Sequence, residues 1–208
     1  MITGTRCFGK VQGKYIEKIY DCRKCEVYLN NMGKNKRWGV KGMAMEDKMM
    51  RKLKIYLDTS VINFLFADDA PEKRDITKAL FEEISQGKYE VYISELVIAE
   101  IFNTEDEEKK RKLLDIIQTY QPKELSGSEE VFHLTEKYLK AKIVPKRFEE
   151  DAIHIAYAVI NDIDVLISWN MRHIVRLKTR WGVNSINKIE GYKEIELISP
   201  EEVIEDED

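Results

Sequence analysis

The nine residues KIYLDTSVI, numbers 54–62, decide how this chain folds. Ile55, Tyr56 and Leu57 form an unbroken run of apolar β-formers that stops at Asp58. Continuity, rather than alternation, is the pattern of a strand buried on both faces of a parallel sheet. Thr59 and Ser60 then offer capping oxygens for a helix beginning near Val61. A carboxylate therefore stands where an apolar strand meets water.

Downstream the same alternation repeats. Pro71 opens a helix in which Ile76, Leu80, Phe81 and Ile84 fall at helical spacing, and Gly87 closes it. EVYIS (90–94) reads as a second strand, with Ser94 capping a helix through ELVIAEIF. A more charged helix is expected from about Glu105 to Tyr120, and an amphipathic one over 128–142, ended before Pro145. FEEDAIHIAYAVI (148–160) is the most apolar helix, and VLISW (165–169) a third buried strand. A basic helix or loop follows, then EIELIS (194–199) as the last strand. Strands separated by helices imply right-handed crossovers and a mostly parallel sheet, giving a three-layer α/β/α sandwich.

Upstream of Lys54 the text changes character. Gly, Lys, Asn and scattered aromatics show no sustained period, so residues 1–53 are expected to be a basic extension, 54–204 the folded domain and 205–208 an acidic tail. The net charge of −4 hides this division: residues 1–53 carry 13 Lys/Arg against 5 Asp/Glu, and the remaining 155 carry 21 against 33. Cys7, Cys22 and Cys25 all lie in the extension. CRKC (22–25) suggests a metal knuckle, but zinc sites need four ligands and residues 1–50 contain no His. Lys34, Lys36, Arg37 and Trp38 would be the contact points of a basic RNA-binding arm. Met43, Met45, Met49 and Met50 are each plausible starts, so the segment is also read as an over-extended frame or a poorly ordered tail. A main domain without cysteine points to a reducing cytoplasm, and no apolar run approaches the ~20 residues that span a bilayer.

The chemistry is carried by carboxylates. Asp58 ends the first strand of the domain, and open parallel sheets place their sites outside the carboxyl ends of strands. Its ordinary explanation is an N-cap or Asx turn. Glu100 interrupts the apolar LVIAEIF helix, where a carboxylate is costly unless partnered or at the rim. Asp151 opens the most apolar helix, but acidic residues suit any first helical turn and Glu149 and Glu150 fill that role equally well. A cluster of these side chains would repel itself without a cation, and oxygen ligands favour Mg2+ or Mn2+ over zinc.

YLDTSVI, SELVIAEI, EDAIHIAYA and LISWNMRHI, in that order and at those separations, resemble the PIN-domain family, most nearly the VapC-type toxins of prokaryotic toxin–antitoxin pairs. The resemblance runs from about Lys54 to Ile204. It implies a Mg2+- or Mn2+-dependent endoribonuclease in which Asp58, Glu100 and Asp151 are the first three acids and hold the metal. Thr59 or Ser60 matches the hydroxyl residue often found beside the first acid. It also implies a homodimer and a small antitoxin protein laid across the site. The fourth acidic position is occupied by Asn170, an amide that contributes no charge, which leaves three negative charges: enough for one divalent ion and marginal for two.

After Asn170 the chain reads MRHIVRLKTRW, and Arg172, Arg176, Lys178 and Arg180 are the candidates for RNA phosphate contacts, with Trp181 available for stacking. A solvated basic face is the competing explanation. Lys146 and Arg147, a turn before Asp151, are also within reach of phosphate. His173 is a candidate general acid weighed against a surface histidine or a loop hydrogen bond, and His154 is expected to be a hydrogen-bonded core histidine. Two further functions fit less of the sequence. One is a catalytically weak PIN module that binds RNA or a protein partner, which Asn170 favours. The other is a DNA or flap nuclease, which lacks room here for a helical arch.

Overall fold

The structure, a computed structural model, describes residues 51–204 in full and two strands upstream as backbone. Those strands, β1 (Arg6–Val11) and β2 (Lys14–Ile19), pair antiparallel from Arg6 opposite Ile19 to Val11 opposite Lys14. The chain divides into two units, Met1–Met49 and Met50–Asp208. Cys22, Cys25, Lys34, Lys36, Arg37, Trp38 and the tail 205–208 lie outside the described residues.

The second unit is built on a five-stranded sheet. Its strands are β3 (Leu53–Leu57), β4 (Tyr89–Ser94), β5 (Lys123–Leu125), β6 (Val165–Ile167) and β7 (Glu196–Ile198). The order across the sheet is β5-β4-β3-β6-β7, and every neighbouring pair is parallel. β3 is central, which is why Ile55, Tyr56 and Leu57 are fully enclosed. β5 is a strand that the sequence pattern did not reveal. It has three residues, KEL, of which only Leu125 is buried, so it carries no apolar run. Both edge strands are short and carry charge at Lys123, Glu124 and Glu196, which discourages further pairing.

Seven helices connect these strands: α1 (Thr59–Phe64), α2 (Pro71–Ser85), α3 (Glu95–Phe102), α4 (Glu107–Tyr120), α5 (Glu129–Lys140), α6 (Glu149–Ile160) and α7 (Leu177–Glu190). Alternate strand residues face opposite layers. Leu57, Val91 and Ile93 meet Ile62, Phe81, Ile84 and Ile117 of α1, α2 and α4. Tyr56 points the other way and reaches His154 of α6. The third layer holds α5 and α7 as well. They are tied to each other by the Tyr138 hydroxyl, which donates to Asn187 Oδ1 at 2.5 Å, both residues being fully buried. The result is the α/β/α sandwich expected from the alternation of strands and helices.

Two local expectations are corrected. The helix after β3 begins at Thr59 rather than near Val61, and its N-cap is Asp58, whose side chain accepts from the Val61 amide at 3.2 Å. Ser94 stands at the N-cap of α3 but makes no side-chain cap, because its hydroxyl is bonded to Tyr56.

The Tyr138–Asn187 bond predicts a measurable cost. In Tyr138→Phe the buried Asn187 carbonyl loses its donor, and urea unfolding should show a loss of about 1–3 kcal/mol. Unchanged stability would mean that another donor takes over.

Candidate active site

Asp58 lies beyond the last residue of β3, and its amide extends the sheet ladder by donating to Ile167 O at 3.3 Å. The residue is 4% exposed, and both carboxylate oxygens accept hydrogen bonds. Oδ1 accepts from the Ser60 hydroxyl at 2.5 Å and from the Val61 amide, and Oδ2 accepts from the Ser168 hydroxyl at 2.6 Å. Capping and site geometry are thus one arrangement in which the cap carboxylate is also the strand-end carboxylate. Burial raises its pKa above the ordinary aspartate value, against the opposing pull of His154 and the hydroxyl and amide donors. Ser60 has a second task, accepting the Trp169 amide at 2.9 Å.

Ser168 was not foreseen. Its hydroxyl donates to Asp58 and accepts the Asn170 amide at 2.8 Å, so one small side chain joins the ends of β3 and β6. The only sequence signal is a polar residue directly after an apolar strand, and its partner lies 110 positions away.

Glu100, on α3, reaches the same end of the sheet. Its Oε2 accepts from the Thr59 hydroxyl and lies 3.2 Å from His154 Nε2. His154 is buried, as expected of a core histidine, and its Nδ1 lies 2.6 Å from the Tyr56 hydroxyl, which lies 2.7 Å from Ser94 Oγ. With a neutral ring, Tyr56 donates to Nδ1 and the Nε2 hydrogen faces Glu100. With a charged ring both nitrogens donate and Tyr56 turns its hydrogen to Ser94. In either state His154 donates to Glu100. Burial opposes the charged imidazole, but Glu100, Asp58 and Asp151 outweigh it and raise the His154 pKa. Burial likewise works against ionised Glu100, yet His154 and Thr59 hold its pKa below the ordinary value.

Asp151 is the acid of the first turn of α6 that enters the site. Oδ1 accepts from Asn170 Nδ2 at 3.0 Å, and Oδ2 lies 3.1 Å from His173 Nδ1. Burial raises its pKa, the two histidines lower it and the charge of Asp58 raises it again. Asn170 also accepts the His173 amide on Oδ1 at 3.0 Å, so its carbonyl closes a turn while its amide nitrogen holds Asp151. Of the two ordinary explanations for His173, the structure matches a hydrogen-bonded loop residue rather than a surface histidine. Its side chain is 12% exposed, and its ring lies 3.7 Å from the Phe148 ring, centroid to centroid.

Three carboxylates and two imidazoles therefore meet outside the carboxyl ends of β3 and β6, where strand order switches direction. A family model for the PIN domain matches residues 55–174 of this chain. The chain belongs to the PIN-domain family. No curated protein sequence matches it. Among solved structures, the crystal structure of VapBC2 from Rickettsia felis bound to a DNA fragment from their promoter is similar at 14% sequence identity and a TM-score of 0.46. That match covers 71% of this chain and 98% of the other.

The donors of this PIN domain suit a hard divalent cation in kind, being carboxylate oxygens. Their present orientation is a different matter. Among the described residues no three His, Cys, Asp or Glu side chains are grouped closely enough to hold an ion. Each acid is instead turned to protein donors: Asp58 to Ser60 and Ser168, Glu100 to Thr59 and His154, Asp151 to Asn170 and His173. Seating a cation requires exchanging some of these bonds for metal ligation.

The basic residues of the PIN domain divide. Arg172, Arg176 and Lys178 line one cleft together with His173. Arg180 does not line it; it donates twice to Glu202, at 2.8 and 3.0 Å, so its guanidinium is already engaged by a carboxylate. Trp181 is 67% exposed, an accessible stacking surface.

The raised pKa of Asp58 has a consequence for stability. The unfolded chain releases this proton near the ordinary value of 3.8, whereas the folded domain holds it to higher pH. Ionisation therefore removes stability as pH rises from 3.8 through the folded pKa, and the deficit persists at neutral pH. In EDTA, Asp58→Asn should melt above wild type at pH 7, with the gap closing as pH falls toward 3.8. A variant that melts lower at pH 7 would show that the lost charge-assisted hydrogen bonds outweigh the desolvation.

Proposed function

We propose that this PIN domain is a Mg2+- or Mn2+-dependent endoribonuclease that hydrolyses RNA phosphodiesters and serves as the toxin of a toxin–antitoxin pair. PIN domains are generally nucleases and typically use divalent metal ions, and this chain is a member. The observation that carries the reading is that one hydrogen-bonded network gathers the three acids at the carboxyl ends of β3 and β6: Asp58 is linked through Ser168 and Asn170 to Asp151, and Thr59, the next residue after Asp58, donates to Glu100. In this reading the three acids hold the cation, which supplies charge neutralisation on a phosphate oxygen and activation of water. Thr59 and His154 keep Glu100 ionised and oriented. Asn170 and His173 orient Asp151. Ser60 and Ser168 fix both oxygens of Asp58.

RNA as the substrate is supported by the basic run after Asn170, in a domain that is otherwise acidic. The toxin role, a small antitoxin partner across the acidic site and a homodimer rest on the likeness of the four motifs to VapC-type toxins. The cytoplasm is the compartment where such a pair would meet RNA. Among the described residues no helix is long and apolar enough to cross a membrane.

The test compares wild type with Asp58→Ala and Asp151→Ala on single-stranded RNA in Mn2+. Loss of one of the carboxylates that would hold the cation should lower cleavage by at least about 100-fold in each variant, a rate effect of roughly 3 kcal/mol. Equal cleavage by all three proteins would refute the proposal. Inducible expression in a bacterium, wild type against Asp58→Ala, with growth and RNA integrity followed together, examines the toxin role.

A second reading is favoured by Asn170, which replaces a charge and whose carbonyl already accepts from His173. On that reading the domain is a catalytically weak module that binds RNA or a protein without efficient cleavage. Asn170→Asp separates the two. If a missing charge limits catalysis, the variant should gain Mn2+ affinity and cleavage by about tenfold or more, equivalent to ~1.4 kcal/mol. No gain in either would leave the three-acid site as the complete one.

A further inference from the structure

Beside the carboxylates lies a cleft of about 260 Å³, to which the basic run after Asn170 contributes only one part of the lining. Lys142 and Arg147 line it from the segment between α5 and α6, and Arg172, Arg176 and Lys178 from the loop after β6 and the start of α7. No carboxylate lines it. None of the five cations has an ion pair among the described residues, whereas Lys110, Lys112, Lys137 and Lys140 each pair with a glutamate. Five uncompensated positive charges in one concavity repel one another, and the field they share is complemented by an anion.

Three features define that anion. The Arg147 guanidinium is held over the Phe148 ring, 4.7 Å from its centroid, and Phe148 in turn stacks on His173. This positions the charge before any ligand arrives. The start of α7 adds to the field: Arg176 is its N-cap, it has no side-chain cap, and its first turn lacks the acid that opens each of α2 to α6. The volume falls just below the ~300–1,000 Å³ of ordinary small-molecule sites, which suits one nucleotide's backbone rather than a large ligand. His173 forms part of the wall and contacts Asp151 through Nδ1, so a single imidazole separates the cleft from the acids.

We propose that this cleft is a phosphate subsite that seats a backbone phosphate of the RNA strand next to the phosphodiester presented to Asp58, Glu100 and Asp151. The proposal rests on the ribonuclease reading for its substrate and on the cleft alone for its phosphate chemistry. Lys142 and Arg147 come from one segment of the chain and Arg172, Arg176 and Lys178 from another, so the bound strand would be held by two separate parts of the domain.

The experiment measures binding of a fluorescein-labelled hexaribonucleotide to the full chain by anisotropy, in EDTA so that no cleavage intervenes. Arg147→Gln and Arg176→Gln should each weaken binding about tenfold and remove about 0.7 from the slope of log affinity against log salt. Lys112→Gln, on α4 and outside the cleft, should change neither. Wild-type affinity and slope in both cleft variants, with circular dichroism and melting unchanged, would overturn the proposal. Competition then identifies the anion. Displacement of the RNA by polyglutamate at equal charge concentration would assign the cleft to an acidic peptide, and inorganic phosphate competing as tightly as the hexamer would assign it to a free anion. Either result overturns the RNA assignment. Because binding is read without metal, absence of ribonuclease activity would leave the subsite standing. Cleavage by Arg176→Gln and Arg147→Gln with an unchanged KM would remove the subsite and leave the ribonuclease.

Discussion

The parallel pairing of β3 with β6 is the constraint on which the remainder depends. Ile55, Tyr56 and Leu57 stand opposite Val165, Leu166 and Ile167, strands separated by more than a hundred residues of chain. Polar contacts lock both ends of this pairing. At the start, Asp164 accepts the Lys54 amide at 2.9 Å and pairs with Arg51 at 2.7 Å. At the finish, Asp58 donates its amide to Ile167 and takes the Ser168 hydroxyl. A slip of one residue would turn Tyr56 from His154 toward the opposite layer, because side chains alternate between faces. Sheet register and site geometry are the same fact seen at two scales.

Around that pairing the protein holds a self-repelling group of charges with little direct access to water. The acids are not equivalent. Asp58 is almost wholly buried, whereas the side chains of Glu100 and Asp151 are 25% and 17% exposed. Burial of ionised carboxylates is tolerated only where hydrogen bonds or opposite charge replace solvent. Here hydroxyls serve Asp58, an imidazole and a hydroxyl serve Glu100, and an amide and an imidazole serve Asp151. Charged and polar groups poised in this way cost stability, a familiar trade at sites that must act on a ligand rather than on the fold.

The two helical layers contribute differently. The layer of α1, α2 and α4 is apolar packing behind Leu57, Val91 and Ile93. The layer of α5, α6 and α7 carries His154 and Asp151 and forms the walls of the basic cleft. Asn187 and Tyr138 fix α7 against α5 within it, and Gly182 allows the close approach of α7 to Ile143, since a Cβ there would meet Ile143 Cγ1 at 2.9 Å. Acidic and basic surfaces thus share one layer, joined by His173.

The sequence by itself determined the alternation of strands and helices, the buried character of KIYLD and VLISW, and the strand-end position of Asp58. These are local properties of apolar runs and helical spacing. The likeness of four motifs to a family supplied Asp151 over Glu149 and Glu150, which periodicity left equivalent. What it did not contain was β5, too short and polar to stand out, and the roles of Ser168, Tyr56 and His173. Nor did it separate Arg180, bound to Glu202, from Arg172, Arg176 and Lys178, or reveal that Lys142 lines the same cleft as Arg147, which the sequence had already marked for phosphate. Each of these depends on which distant segment a side chain meets. Hydrogen bonds across 98 and 110 positions, such as Tyr56 to His154 and Ser168 to Asp58, exist only after the sheet has brought those positions together. Asp58 was marked from the start by where its strand ends; what surrounds it was decided by the pairing of β3 with β6.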